Sequence, residues 1–214
     1  MTGAGTVPVT VRLAYGTRAR LRELLCGQRQ WRRELAAGER WSTKGLGRRE
    51  ASAVRAAWRQ ELAGLRERGQ LLDSLDALAT LGVRREVAHR GWDRPWPACP
   101  PQARDLGRWP GSADGGFPEQ LSLRLPASLE NQVRAACWYA SYEAIEALEE
   151  WRLRYPQVMP RRRWAPTGLE SALAAYDRLA ARVITTGEIW RAGIRHGMAT
   201  AAGHRAVGAG GHPP

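Results

Sequence analysis

This sequence has few cysteines, only short apolar runs and no leader segment. Its three cysteines, Cys26, Cys99 and Cys137, form no CxxC pair, which excludes a disulfide scaffold and a zinc ribbon and is typical of a reducing compartment. The uninterrupted apolar runs are only a few residues long, so we expect no membrane-spanning helix. No charged, apolar and small-residue leader opens the chain. These absences predict a cytoplasmic location and no membrane partner.

Motifs of the common catalytic sites are missing as well. We find no GxxxxGKS or GxxxxGKT phosphate loop, no GxSxG elbow, no HExxH and no GxGxxG after a predicted strand. Asp73 and Asp76 could form an acidic site, but a solvated helix face is the simpler interpretation. Cys26 and Cys137 have apolar neighbours at helical spacing, which favours buried, unreactive thiols. The sequence therefore predicts a protein that is not an enzyme.

The histidines predict no metal site. The four of them are too scattered along the chain to form a ligand set. His196, His204 and His212 come closest, near the C-terminal end, where a flexible tail is the simpler interpretation. We expect neither a bound metal nor another cofactor.

Arginine, by contrast, is abundant. The chain has 33 basic residues against 21 acidic ones, a net charge of +12, and Lys44 is its only lysine. The charge is uneven, because residues 18–68 contain 14 basic and six acidic residues, whereas residues 130–150 carry five glutamates and one arginine. A chain this cationic most often binds a polyanion, so we expect a nucleic acid or another anionic surface as its partner.

Hydrophobic periodicity predicts the fold class. Alternating apolar residues indicate two strands, over 7–13 and 120–125. Apolar stripes at helical spacing indicate six helices, over 17–37, 48–68, 71–81, 126–156, 167–183 and 188–202. Gly82 supplies the predicted end of the third helix, and Thr167 with Glu170 forms a capping box before the fifth. We expect a mainly α fold with two similar helical halves around a small two-stranded β-ribbon.

The chain divides into four predicted segments. They are an N-terminal strand with basic helices (1–89), a Pro/Gly/Trp-rich linker (90–118), a C-terminal strand with helices (119–202) and a disordered tail (203–214). Tryptophans are unusual in a pure linker, so we expect those of residues 90–118, at positions 92, 96 and 109, to hold it against a surface.

Short matches suggest that the two halves are a diverged repeat. Residues 9–13 align with 121–125 at an offset of 112, and the Arg-Trp pair at 40–41 aligns with that at 163–164 at an offset of 123. Such matches also arise by chance in a chain rich in arginine and leucine, so both explanations stay open. A real duplication would let the strands pair side by side and bury their apolar faces under the helices.

Arginines on the polar sides of the predicted elements are the candidate functional residues. Outward guanidinium groups at this density can grip phosphate oxygens in a bidentate way. The alternative is a solvated helical face with scattered ion pairs. The candidate nucleic-acid-binding residues are Arg12, Arg18, Arg22, Arg29, Arg32, Arg33, Arg48, Arg49, Arg55, Arg59, Arg124, Arg161, Arg162 and Arg163.

Two families resemble parts of this pattern. The strand over 9–13, followed by Leu21-Arg22-x-x-Leu25 and Arg32-x-x-Leu35, resembles the N-terminal region of TnpB-like transposon proteins and type V CRISPR effectors. The second half has a similar look in Arg124-Leu-Pro126 and the residues that follow. In that family these elements hold guide RNA and the guide–target duplex. The chain lacks a nuclease domain with its acidic triad and zinc ribbon, so the resemblance implies a binding-only relative or subunit.

The second family, ranked below the first, is the tandem ribbon-helix-helix proteins. Strands that expose Thr10 with Arg12, and Ser122 with Arg124, resemble the ribbon with which that family reads the major groove of DNA. That fold needs a break between two short helices after each strand. Here the apolar stripes after both strands run on without interruption, which favours one long helix per strand.

Together these observations predict a non-catalytic nucleic-acid-binding protein that grips the phosphate backbone through arginine-rich helix faces. We expect it to act as a subunit of an RNA-guided or mobile-element nucleoprotein complex, with RNA or DNA and other protein subunits as partners. The alternatives are a tandem ribbon-helix-helix accessory or regulatory protein and a helical protein-interaction subunit.

Overall fold

The chain is mainly α, as predicted, with seven helices and one two-stranded sheet in the part that the structure describes. The structure is a computed structural model that describes residues 5–101, 103 and 116–208, with backbone alone at 161 and 204–208. Within these residues, no helix is both long enough and apolar enough to cross a membrane. The elements are β1 (Thr6–Leu13), α1 (Thr17–Ala37), α2 (Arg48–Glu67), α3 (Leu75–His89), β2 (Glu119–Pro126), α4 (Ala127–Ala140), α5 (Tyr142–Arg154), α6 (Glu170–Ala180) and α7 (Thr186–Gly208), with 3₁₀ turns at Glu39–Trp41 and Pro160–Arg162.

The two strands pair with each other across the halves of the chain. β1 and β2 run antiparallel, and Thr10 lies opposite Ser122 at the centre of the pairing. Because side chains alternate between the two faces of a strand, Val11 and Leu125 point into the core and are almost fully buried. The pairing confirms the predicted β-ribbon, and both halves contribute to one core beneath it.

Helices α3 and α7 cross in the core with their backbones in direct contact. Three glycines make it possible, since a Cβ added to Gly82 would overlap the carbonyl oxygen of Gly193 and lie 2.7 Å from the amide nitrogen of Gly197. The sequence-based prediction that the third helix spans 71–81 and ends at Gly82 is therefore wrong. Gly82 lies in the middle of α3, where its missing side chain lets the two backbones touch.

Helix breaks in the second half also differ from the prediction. The single helix expected over 126–156 is interrupted at Ser141, which is buried and accepts the amide hydrogen of Ile184 on its Oγ at 2.8 Å. Beyond the break, α5 packs against α6 in a small second core. The predicted capping box of Thr167 with Glu170 is wrong, because Glu170 accepts the amide hydrogen of Gly168 rather than that of Thr167 and no side chain caps the start of α6.

The order of elements in the two halves is the same. Each half has a strand, a helical segment that directly follows it, a 3₁₀ turn, a helix and a last helix that returns to the core, provided that α4 and α5, which the break at Ser141 separates, are counted as one segment. Both 3₁₀ turns are followed by a glycine with positive φ, 80° at Gly45 and 89° at Gly168. This correspondence supports the duplication that the sequence left open, and it places α3 and α7 in equivalent positions.

The segment after α3 lies against α4. Trp92 is buried, and its carbonyl oxygen accepts hydrogen bonds from the Trp96 indole at 3.1 Å and the Gln132 amide at 3.0 Å. The ring of Trp96 stacks on Tyr139 with an interplanar angle of 12°. Two of the three linker tryptophans thus hold this segment on a surface, and Trp109 lies outside the described residues. At the C-terminal end, α7 continues to Gly208, beyond the predicted end at residue 202.

Candidate nucleic-acid interface

The outer face of the ribbon is polar and exposed. Strand alternation places Thr10 and Arg12 of β1 and Gln120, Ser122 and Arg124 of β2 on the side away from the core, and all five are exposed. Arg12 and Arg124 each lie two residues from the central Thr10–Ser122 pair, in opposite directions. They are therefore separated by about 14 Å along the ribbon, because a strand rises about 3.4 Å per residue.

The two ribbon arginines differ in how they are held. The guanidinium group of Arg12 has no hydrogen bond or ion pair with any described residue. Arg124 donates its Nε–H to the Oγ1 of Thr6 at 3.1 Å, which leaves both of its Nη groups for a ligand. The backbone amide of Arg124 donates to the carboxylate of Asp76 at 2.8 Å. Asp76 therefore ties the start of α3 to the edge of β2 and does not lie on a solvated helix face.

One end of the ribbon is joined to the start of α1 by Glu119. Its carboxylate accepts the amide hydrogens of Gly16 at 2.9 Å and Arg18 at 2.8 Å. The amide of Arg18 is the main cause that lowers the pKa of Glu119, and the positive charges of Arg18 and Arg22 lower it further. Arg18 and Arg22 are exposed, so the start of α1 adds positive charge near this end of the ribbon.

Asp73 binds two of the candidate arginines of α1, Arg29 and Arg32. It is 6% exposed, precedes α3, and binds Arg32 of α1 at 2.6 Å and Arg66 of α2 at 2.9 Å. Arg29 also donates to its backbone oxygen at 3.2 Å. Burial alone would raise the pKa of Asp73, but the hydrogen bonds and charges of Arg66 and Arg32 outweigh it and hold the pKa below its usual value. The interpretation of Asp73 as solvated is wrong, and Asp73 holds the side chains of Arg29 and Arg32, which remain partly exposed.

The remaining arginines of α1 and α2 stay available. They are exposed and form no ion pair with a described residue, and they are Arg20, Arg33, Arg48, Arg49, Arg55 and Arg59. α2 has one buried residue, Ala51, and its Trp58 is half-buried against Trp41 with 5.0 Å between the ring centroids. This basic helix is therefore held along one side only.

The basic corner at 161–163 lies on the surface beside the small second core around Trp151 and Val158, whereas the inner face of the ribbon belongs to the main core. Arg162 is exposed, whereas the side chain of Arg161 lies outside the described part. Arg163 has a left-handed backbone, with φ of 54°, and pairs with Asp177 at 2.6 Å. This corner does not extend the ribbon surface.

The thiols and histidines differ in part from the predictions. Cys137 is buried as predicted, and burial raises its pKa, but Cys26 is exposed, so its predicted burial is wrong. His196 contacts the buried carboxylate of Glu86 at 2.9 Å. In the part of the chain that the structure describes, no three His, Cys, Asp or Glu side chains are grouped as metal ligands. The side chains of His204 and His212 lie outside that part.

The sequence did not predict the two carboxylates that hold the ribbon in place, those of Glu119 and Asp76. Glu119 and Asp76 position the ribbon through backbone amides, and neither follows a motif. Gln120 could have been included, since it continues the outward alternation of Ser122 and Arg124. No protein-family model, no curated protein and no solved structure matches the chain.

Proposed function

We propose that this protein binds double-stranded DNA by inserting its β-ribbon into the major groove. The observation that carries the proposal is the exposed outer face of the ribbon, where Arg12 and Arg124 flank the Thr10–Ser122 pair. Arginine and glutamine side chains on such a face are the groups that recognise guanine and adenine edges. Gln120 supplies the amide group beside Arg12.

The dimensions of the ribbon support duplex DNA. Neighbouring strands lie about 4.8 Å apart, so a two-stranded ribbon fits a major groove about 12 Å wide. The separation of about 14 Å between the two arginines spans about four base-pair steps. RNA duplexes are less suitable partners, because their major groove is too deep and narrow for side chains to read. The ribbon therefore favours DNA, which the sequence left open.

Charge outside the ribbon supplies the phosphate contacts in this proposal. Arg18 and Arg22 lie near the end of the ribbon where α1 begins, and in this proposal they contact the phosphate backbone that borders the groove. The exposed arginines of α2 add a second basic surface that can follow the duplex. Contacts of this kind fix the register of a protein on DNA but carry no sequence information, so specificity rests on the ribbon.

The first test is selection from a random double-stranded DNA library, followed by binding measurements on the enriched site and a scrambled one. We expect enrichment of a site with guanines about four base pairs apart, one on each strand, since each arginine reads one guanine. The double substitution R12A/R124A should lower the preference for the enriched site at least about 30-fold, because each bidentate contact contributes about 1–3 kcal/mol.

The matched control is R154A/R178A, which removes the same charge from exposed arginines of α5 and α6. It should leave the site preference unchanged. A ribbon variant that keeps the wild-type preference, or tighter binding to RNA than to the enriched duplex, would contradict the proposal. An R33A/R55A/R59A variant should weaken enriched and scrambled sites alike and reduce the salt dependence.

A further inference from the structure

The small second core contains an open cavity that has no role in the proposed DNA contact. Its volume is about 560 Å³, within the range of small-molecule sites. It lies between the end of α5, the 3₁₀ turn at Pro160–Arg162 and α6. The residues that line it include Trp151, Arg152, Tyr155, Val158, Arg162 and Tyr176.

Three aromatic rings form the wall of the cavity. Trp151 is buried, and its indole N–H donates to the carbonyl oxygen of Ala172 at 2.9 Å, which fixes the ring. Its centroid lies 5.5 Å from that of Tyr155 and 5.0 Å from that of Tyr176, and both tyrosines are half-buried. Fixed rings at the edge of a cavity offer faces on which a flat apolar group can pack without ordering flexible side chains.

The polar groups at this cavity are cationic or neutral. The guanidinium groups of Arg152 and Arg162 are exposed and have no partner among the described residues. The hydroxyls of Tyr155 and Tyr176 likewise have no hydrogen-bond partner in the described part of the chain. Among the residues that the structure describes, no aspartate or glutamate lines the cavity. The arrangement therefore complements an anion, which Arg can bind through charge-assisted hydrogen bonds.

The cavity rim is built before any ligand arrives. Met159 and Trp164 form an isolated antiparallel bridge, and Arg163 between them is in the left-handed region with φ of 54°. The guanidinium group of Arg163 binds Asp177 of α6 at 2.6 Å, which ties the turn to the opposite wall. A non-glycine residue in this conformation is costly and persists only when its surroundings enforce it. The Arg163–Asp177 pair thus joins the turn that carries Arg162 to the helix that carries Tyr176.

We infer that this cavity binds a small molecule that combines an aromatic ring with one anionic group, a carboxylate or a phosphate. The ring packs against Tyr155 and Tyr176 over the floor made by Trp151 and Val158. The anionic group lies at the mouth, between Arg152 and Arg162. The inference does not depend on DNA binding, since no residue of the cavity belongs to the ribbon.

The test is isothermal titration calorimetry of the full chain with two matched pairs of probes. Adenosine 5′-monophosphate and adenosine form the phosphate arm, and indole-3-acetate and indole-3-ethanol form the carboxylate arm. We expect at least one anion to bind with one-to-one stoichiometry and a Kd below about 1 mM, and its neutral counterpart to bind at least about ten-fold more weakly. The arm that binds identifies the anion.

Variants then locate the site. R152A/R162A should weaken the binding anion about ten-fold or more, and Y155A should weaken both members of its pair. R154A/R178A and R12A/R124A should leave the Kd unchanged, and circular dichroism checks that each variant is folded. Absence of binding by both anions at concentrations up to about 1 mM would overturn the inference. Equal affinity in wild type and R152A/R162A would overturn it as well.

Discussion

The crossing of α3 and α7 makes G82A the most informative single substitution for the fold. A methyl group at Gly82 would overlap the carbonyl oxygen of Gly193 and lie 2.8 Å from its carbonyl carbon. These are backbone atoms of a helix, so no side chain can turn aside to make room. The two helices must therefore move apart by about 1 Å or more to restore ordinary contact distances.

The loss of stability comes from the apolar side-chain contacts between α3 and α7 that this movement would separate. Leu78 and Val83 of α3 and Ile189 and Ile194 of α7 are almost fully buried. A gap of about 0.5–1 Å removes a quarter to a half of the dispersion energy of each contact across it. Overpacking of a close-packed core typically costs about 1–3 kcal/mol, and a rigid backbone contact lies at the upper end. We expect G82A to lower the free energy of unfolding by about 3 kcal/mol.

Urea unfolding followed by circular dichroism measures this quantity, and G203A is the matched control. Gly203 is also inside a helix, α7, but a Cβ there meets nothing within 4 Å. G203A should therefore stabilise the protein by about 0.5–1 kcal/mol, the helix preference of alanine over glycine. A G82A protein within about 1 kcal/mol of wild type, a difference on the order of an ordinary surface substitution, would refute the close crossing.

Three further predictions concern single side chains. D73N should lower the free energy of unfolding at pH 7 by about 1–2 kcal/mol, since both arginine partners are partly exposed. Folding lowers the pKa of Asp73, so its carboxylate stabilises the protein at pH values above the pKa of the unfolded state. The difference in the free energy of unfolding between wild type and D73N should therefore shrink as the pH falls below about 4. W58A should cost about 2 kcal/mol in the same assay, less than a core tryptophan, because Trp58 is half-buried. A thiol reagent should label exposed Cys26 in the native protein and reach Cys137 only after unfolding; rapid native labelling of Cys137 would contradict its burial.

Local signals in the sequence determine most of the element boundaries. The predicted helix over 17–37 coincides with α1, and both strands lie within one residue of their predicted bounds. Gly38 follows α1, and alternation alone assigns Val11 to the core and Arg12 to the outside. These features depend on residues close in sequence, so a pattern rule can find them.

The errors arise where distant residues decide the outcome. Gly82 looks like a helix end, but its role depends on Gly193, more than one hundred positions away in the sequence. Ser141 interrupts a continuous apolar stripe because its hydroxyl accepts the amide of Ile184. Asp73 resembles a surface carboxylate until the fold brings Arg32 and Arg66 to it. Propensity and periodicity carry no information about such tertiary partners.

In the candidate interface, too, some features follow from the local sequence and others depend on residues that are distant in the chain. The outward positions of Arg12 and Arg124 follow from strand alternation, but their placement on one shared face requires the pairing of β1 with β2. Counting arginines predicts a uniform basic surface on α1, whereas the fold anchors Arg29 and Arg32 through Asp73. The cavity beside Trp151 had no sequence signal, because its wall is assembled from two helices and a turn.

The match between the two halves at an offset of 112 gives the proposed DNA contact a specific asymmetry. The offset of 112 that relates the halves places Thr10 on Ser122, Arg12 on Arg124 and Pro8 on Gln120, and Thr10 and Ser122 are also paired in the sheet. The centre of the ribbon is therefore a pseudo-twofold axis with similar arginines on either side. Pro8 has no hydrogen-bonding side chain, whereas the amide of Gln120 can read an adenine. From the proposed contact we expect a site whose outer guanines are related by twofold symmetry and whose remaining bases are not. The reason is that Gln120 offers an amide to one half of the groove, whereas Pro8 offers no donor to the other half.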